Sequence, residues 1–457
     1  MRKICTVLVM LLCTVLICTG CQDSPQEDIV VNKNEIHKET KGESTDLSEK
    51  NSVSDKFSCE NSGIQFEVNA EAEELEKKPV LRVKPHQIQS EEVKKWANVL
   101  FGAVPVYEPI RELSKEDIED SILKYKQWSD EEQLHEEYGN EAEVKKVLEE
   151  YQKRISWLKG QYESAPEKVE RKKTDWTFHP SEYYFTDAGY WEEQKDQYDY
   201  LENTYCLEIA SMDDSTGHFP VISATNRDQS DYKVNMLWFY YDDETQMDDI
   251  PYLELSEEEA KKLVDEKKKD LNLNNWGMVK LDKFDEENEC SFRFTYLPEF
   301  LGISTLLCPE IDMQADDVYA ASYYYSKLEI VVYNGIIQSV CLTSPLDIVE
   351  TVEEDTDTLP FEKIYQQFRT QMNLQYSEKG TLANLAGDES AEVKIKVSDI
   401  RNGLFRIKEK NNEDTFLMVP AWSFTGVFYI NGDAFDEINL CYVNAIDGSI
   451  IDPKLGY

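Results

Sequence analysis

Apolar positions in this chain change period several times, and each change marks an element. Behind Arg2 and Lys3 runs an apolar stretch from Ile4 to Ile17, and from Gln22 to Ser58 hydrophobic residues are sparse. Ile64, Phe66 and Val68 then alternate, which predicts a strand, and Val80–Val83 predicts a second. A helical zone follows. Ser90 reads as the cap of a helix carrying Val93, Trp96, Ala97 and Leu100. Ser114 and Asp117 fit a capping pattern ahead of Ile118, Ile122 and Tyr125. The longest stripe joins Val144, Val147, Leu148, Tyr151, Ile155, Leu158 and Tyr162. From Tyr205 the period falls to two: Tyr205, Leu207 and Ile209 form one face, and Val234, Met236, Trp238 and Tyr240 form another.

After the acidic run Asp242–Asp249 the pattern reads as two passes of helix then sheet. In the first, Ser256 and Glu259 make a capping box before Ala260, Leu263, Val264 and Leu271. Strands are predicted at Met278–Phe284 and Cys290–Tyr296. A hairpin follows, from Leu328–Tyr333 through Asn334-Gly335 to Ile336–Leu342. In the second pass Pro360 opens a helix with Phe361, Ile364, Tyr365, Phe368 and Met372 in register. Strands are predicted at Val393–Val397, Phe405–Glu409, Phe416–Tyr429 and Ile438–Asn444, with a last turn at Asp447-Gly448. Pro420 lies inside the third of these, which predicts an edge or a bulge there. The fold class expected is α+β, a mixed helical and antiparallel β domain followed by two passes of helix then antiparallel sheet.

The first segment is an export signal by its plan: a basic start, a short apolar run, then small residues. The run is shorter than the ~20 residues that span a bilayer. Thr19-Gly20-Cys21 resembles a bacterial lipobox, in which the cysteine is lipidated and becomes the N-terminus. Cys18 stands where that motif prefers leucine. The organisation expected is a signal at 1–20, a disordered polar tether at 21–58, an N-terminal α+β domain at 59–250 and a C-terminal one at 251–457. A tether of that length would separate its ends by about 35 Å. Multiple acyl chains on Cys21 would hold the protein stably at the membrane, on its extracytoplasmic face.

Charge and cysteine use narrow the partners. The 457 residues carry 48 Lys and Arg against 91 Asp and Glu, a formal charge of −43. That balance argues against nucleic acid and against broad contact with anionic lipid. Past Cys21 stand Cys59, Cys206, Cys290, Cys308, Cys341 and Cys441. An even set outside the cytoplasm permits disulfides. Buried free thiols are the other reading. Cys290 favours it, sharing strand parity with Phe292, Phe294 and Tyr296. No pairing follows from spacing.

Catalytic and metal motifs are absent from the sequence. The histidines, His37, His86, His135, His179 and His218, are scattered and form no His-Glu-x-x-His. There is no phosphate-binding glycine loop and no nucleophile elbow. Ser156-Trp157-Leu158-Lys159 has Ser-x-x-Lys spacing, but its companion motifs are missing and Leu158 belongs to the helix stripe. With 91 acids, no carboxylate pair is singled out. No metal site, cofactor or catalytic residue is expected.

Val419-Pro420-Ala421-Trp422 and the later Tyr442-Val443-Asn444-Ala445-Ile446-Asp447-Gly448 resemble the closing strands of PepSY-type extracytoplasmic units, as found in membrane-tethered regulators of a sensor kinase. The whole chain looks most like a group of clostridial lipoproteins of unknown function. The resemblance implies fold and location, and brings no catalytic residue with it. The function expected is a non-enzymatic, membrane-anchored lipoprotein that binds a protein or peptide partner or modulates an envelope sensor or enzyme. The alternative is a solute-binding lipoprotein for sugar or peptide. The candidate partner surface is the tyrosine cluster Tyr323, Tyr324 and Tyr325 with Trp422, near the edge expected at Pro420.

Overall fold

The computed structural model describes residues 51–59, 62–102, 113–169, 204–210, 220–227, 235–241, 252–286, 289–308, 324–377, 392–410 and 412–456. The fold is α+β, built on two large sheets. Cys21, Tyr323, the signal segment and residues 21–50 lie outside the described residues.

The first sheet runs in the order β1 (Asn51–Ser58), β2 (Gln65–Glu73), β13 (Val393–Glu409), β14 (Asn412–Ile430), β15 (Asp433–Asn444), β16 (Ile450–Ile451). Two more strands, β3 (Val80–Pro85) and β12 (Leu346–Glu353), join it through β14. The second runs β4 (Thr204–Ala210), β5 (Pro220–Arg227), β6 (Met236–Tyr241), β11 (Ile336–Thr343), β10 (Lys327–Tyr333), β8 (Glu289–Phe300), β7 (Trp276–Glu286), with β9 (Ile303–Ser304) on β8. Ladders are antiparallel throughout, except that β2 runs parallel to β13.

Three expectations are corrected here. A division at residue 250 does not follow the sheets, since each takes strands from both sides of it: β11 pairs with β6, and β13 pairs with β2. The tether does not extend to Ser58. Asn51–Ser58 is a strand, because Val53 and Phe57 fall on alternate positions and pack against the first sheet's core. Two apolar residues in eight were too few to signal it. Lastly, Pro420 is neither at an edge nor in a bulge. One side of β14 pairs with β13, Pro420 opposite Leu404. The other side is shared, β3 taking Phe416–Met418 and β15 beginning at Ala421. Pro420 sits at that seam. Its carbonyl accepts from Ala445 N at 2.9 Å, so its missing N–H also faces the gap, where no strand asks for a donor.

Helices cover one face of each sheet. Phe361, Ile364, Phe368 and Met372 of α6 (Phe361–Gln375) are buried on the first sheet, with Phe368 stacked on Phe424 at 4.2 Å. On the second sheet lie α1 (Ser90–Phe101) and α5 (Glu257–Asp270). They bury Val93, Trp96, Ala97, Ala260 and Val264 against Phe239, Phe292, Phe294 and Tyr296. Both predicted capping boxes form, at Ser114–Asp117 and Ser256–Glu259. Ser90 instead is the first helical residue; the cap position is Gln89, whose side chain makes no cap bond. Three further helices, α2 (Lys115–Trp128), α3 (Glu131–Tyr138) and α4 (Glu141–Tyr162), pack on one another through Ile118, Leu134, Val144 and Leu158. No helix among the described residues is long and apolar enough to cross a membrane.

Candidate functional site

Of the expected partner residues, Trp422 and Tyr325 are turned into the core. Trp422 is 2 % exposed and packs against Phe361, ring centroids 4.9 Å apart. It faces the helix-covered side of its strand, so it holds α6 in place and is closed to a partner. Tyr325 is half-buried: its hydroxyl donates to Pro453 O at 3.2 Å, and its ring lies 5.0 Å from Phe405 and 4.4 Å from the Arg406 guanidinium. Burial pushes its phenol upward. The backbone carbonyl of Tyr324 accepts from Arg406 Nη1 at 2.8 Å. The Tyr325 ring therefore packs on the core beside Cys308 and Tyr442.

Among the described residues, His86 is the histidine whose setting looks most like chemistry. Its Nε2 lies 3.0 Å from Glu92 Oε2 on α1, and its Nδ1 lies 3.0 Å from Asp347 Oδ1 on β12. The bond to Glu92, and behind it Asp347, raises its pKa to about 9 against the opposing effect of burial. Both ring nitrogens thus donate, and neither is left to act as a base. The residue sits where the chain crosses between sheets. His86 N donates to Pro345 O at 2.8 Å, buried Asn235 donates from Nδ2 to His86 O at 2.7 Å, and Ser344 N donates to Asn235 O at 2.6 Å. It is a clamp.

Five cysteines, Cys59, Cys290, Cys308, Cys341 and Cys441, are free thiols; the Cys206 side chain lies outside the described residues. Burial pushes the Cys308 thiol up to about 12 and raises Cys59 and Cys441 as well. No group of three or more metal-ligand side chains comes together among the described residues.

What the described residues leave uncovered is the second sheet's other face. The helices that touch this sheet lie on the side of Leu237, Phe239, Val340 and Ile330. On the opposite side Trp238 stands 38 % exposed and stacks on Tyr240, ring centroids 4.2 Å apart and planes 29° from parallel. The register sets Cys341 of β11 beside Trp238 and Ser339 beside Tyr240. On β10 follow Glu329, paired with Lys327 at 2.9 Å, and Val331. At the far edge Phe284 is 47 % exposed under the Arg293 guanidinium, 5.4 Å from its ring. The two aromatic poles are four strand spacings apart, about 19 Å. Such a surface can stack on flat apolar groups and hydrogen-bond between them. The period of two places Met236, Trp238 and Tyr240 on a common face but leaves open which side of the strand turns inward. Met236–Tyr241 is apolar or aromatic at both parities, so periodicity is silent there; only pairing with β5 and β11 decides. The signal available was that excess: an antiparallel strand buried on one side ordinarily alternates with polar residues.

No model of a known protein family matches the chain. No curated protein matches it either. Among solved structures it is similar to an uncharacterized protein from Eubacterium rectale, with 17% identity over 59% of this chain and 82% of that one, at a TM-score of 0.33. It is also similar to the YpeB C-terminal domain of Bacillus megaterium, with 14% identity over 54% and 80%, at 0.28. Neither likeness is close enough to bring a site or an activity across.

Proposed function

We propose that this chain is a non-enzymatic extracytoplasmic lipoprotein, anchored through Cys21, with PepSY-like C-terminal units, that binds a protein or peptide partner of the cell envelope. The observation that supports it is the Trp238–Tyr240 stack on the face of the second sheet that the described residues leave uncovered. Aromatic side chains with polar tips give large contact area with little ordering entropy, and they concentrate at protein interfaces. The anchor and polar leader would hold that face at the outer surface of the membrane. The formal charge of −43 favours a basic partner. Uptake of a sugar or short peptide between two lobes is the weaker reading: such receptors rest on parallel sheets, and the sheets here are antiparallel but for the β2–β13 pair.

A photo-crosslinking residue at position 238, introduced into the full-length protein in intact cells, tests the proposal. A discrete adduct that disappears when Tyr240→Ala is added is the expected result. No adduct in any growth phase, from protein that is exported and folded, would overturn it.

A further inference from the structure

The first strand is weakly buried, yet it is held by specific contacts. From Ser52 to Ser58 its residues alternate between exposed and half-buried, and none is buried. Its neighbour β2 buries Phe66, Val68, Ala70 and Ala72. The Phe57 ring lies flat on Phe66, centroids 4.8 Å apart and planes 1° from parallel, and meets Phe368 edge-on at 6.3 Å. The Arg369 guanidinium lies 4.7 Å over Phe57. Tyr365 donates its hydroxyl to Asp55 Oδ2 at 3.0 Å, and Arg369 Nη1 lies 3.4 Å from the same oxygen. Val53 packs on the same core. The seat formed by β2 and α6 thus reads a strand at alternate positions: aliphatic, acid, aromatic. Its occupant has a strand partner on one side only among the described residues, and it joins directly to the polar leader.

We infer that this seat is a peptide-recognition groove, filled by the chain's own β1 and open to exchange for a partner strand with the pattern aliphatic-x-acid-x-aromatic. The exchange runs strand for strand. An empty seat would expose Phe66 and Phe368, now 1 % and 0 % exposed, whereas an incoming strand restores both the backbone ladder on β2 and the contacts of Arg369 and Tyr365. The inference rests on the partner-binding reading above, but on a different surface. Since β1 continues the leader, its displacement would lengthen the connection to the membrane, and partner binding would alter how far the folded body stands from it.

The test uses the full chain. In the double variant Asp55→Ala, Phe57→Ala, β1 keeps its place with its two specific contacts removed. A fluorescent peptide of sequence Asn51–Ser58 is titrated by polarisation against this variant and the wild type. The expected result is at least ten-fold tighter binding to the variant, where the resident strand competes poorly, and no binding of a peptide carrying the same two alanines. Equal binding to both proteins, or none to a variant that still unfolds cooperatively, overturns the inference. So does a concentration-dependent dimer of the variant, which would make a second copy the occupant. Hydrogen exchange of the wild type gives an independent readout: β1 amides should exchange by local opening, well before those of β2. If they exchange only with global unfolding, the strand is not replaceable. Failure of the position-238 adduct with peptide exchange intact would remove the sheet face and leave this groove standing.

Discussion

His86 keeps its charge through the neutral range because two carboxylates face it from different elements, Glu92 from α1 and Asp347 from β12. Its pKa in the folded protein is raised to about 9, against about 6.5 for a free histidine. The folded state therefore holds this proton more tightly than the unfolded state. The stabilisation is complete below about pH 6.5 and is lost as pH rises through about 9. After discounting for solvent screening it amounts to about 1–2 kcal/mol. Urea unfolding at pH 6 and pH 9.5 checks this: the gap between wild type and His86→Gln should be largest at pH 6 and close to nothing at pH 9.5. Thiols give a second prediction. Cys341 is half-buried beside Trp238, while Cys59, Cys290, Cys308 and Cys441 are buried, and no disulfide forms among the described residues. Alkylation of the native protein, mapped by peptide mass spectrometry, should modify Cys341 before Cys59, Cys290, Cys308 and Cys441, and reach those four only on unfolding. Early labelling of Cys308 would contradict its burial. Cys290 was legible from strand parity alone, since a thiol sharing a face with three aromatics goes inward with them. Trp422 was less plain: it shares parity with Phe424 and Phe428, but Val419 and Ala421 on the other parity are apolar too, so which side α6 covers is set by tertiary packing.

Local chemistry decides most of the elements. Asn334-Gly335 makes the turn between β10 and β11, with both residues at positive φ, 44° and 86°. Gly335→Ala should destabilise by about 1–2 kcal/mol, because an L residue strains in this region. A denaturant midpoint unchanged from wild type would show that the turn is not a constraint. The helix of Phe361–Gln375 and both capping boxes were equally plain, being carried by neighbours within a few residues. Strand continuity was harder to read. Val393–Val397 and Phe405–Glu409 look separate in sequence but form one strand, Val393–Glu409, with an irregularity near Val397–Asp399. The polar residues between them, such as Asn402, stay in the ladder because Asn402 donates from Nδ2 to Ala421 O at 2.9 Å. A strand flanked on both sides inherits its extended state from its neighbours as much as from its own residues.

The two sheets are sewn together across the whole chain, and this makes them one folding problem. β2 pairs with β13 more than three hundred positions away, and β3 lies between β12 and β14. Close backbone approach adds to the seam: Leu306 N donates to Leu404 O at 2.9 Å, and a Cβ on Gly403 would come within 2.8 Å of Ser304 O. Residues 251–457 expressed alone would lack β1–β3 from one sheet and β4–β6 from the other. Such a fragment should show no cooperative thermal transition by circular dichroism; a sharp one would mean that the C-terminal half stands by itself. Hydrophobic period, turn residues and caps were by themselves enough to determine the α+β class, the two passes of helix and sheet and the hairpin at Asn334-Gly335, because each acts over a few residues. Tertiary structure alone decided that the strands of both halves interleave, that Trp422 is interior and that Trp238 stands out. Pairing between distant strands is chosen by the core they jointly bury, and no short stretch of the chain contains that information.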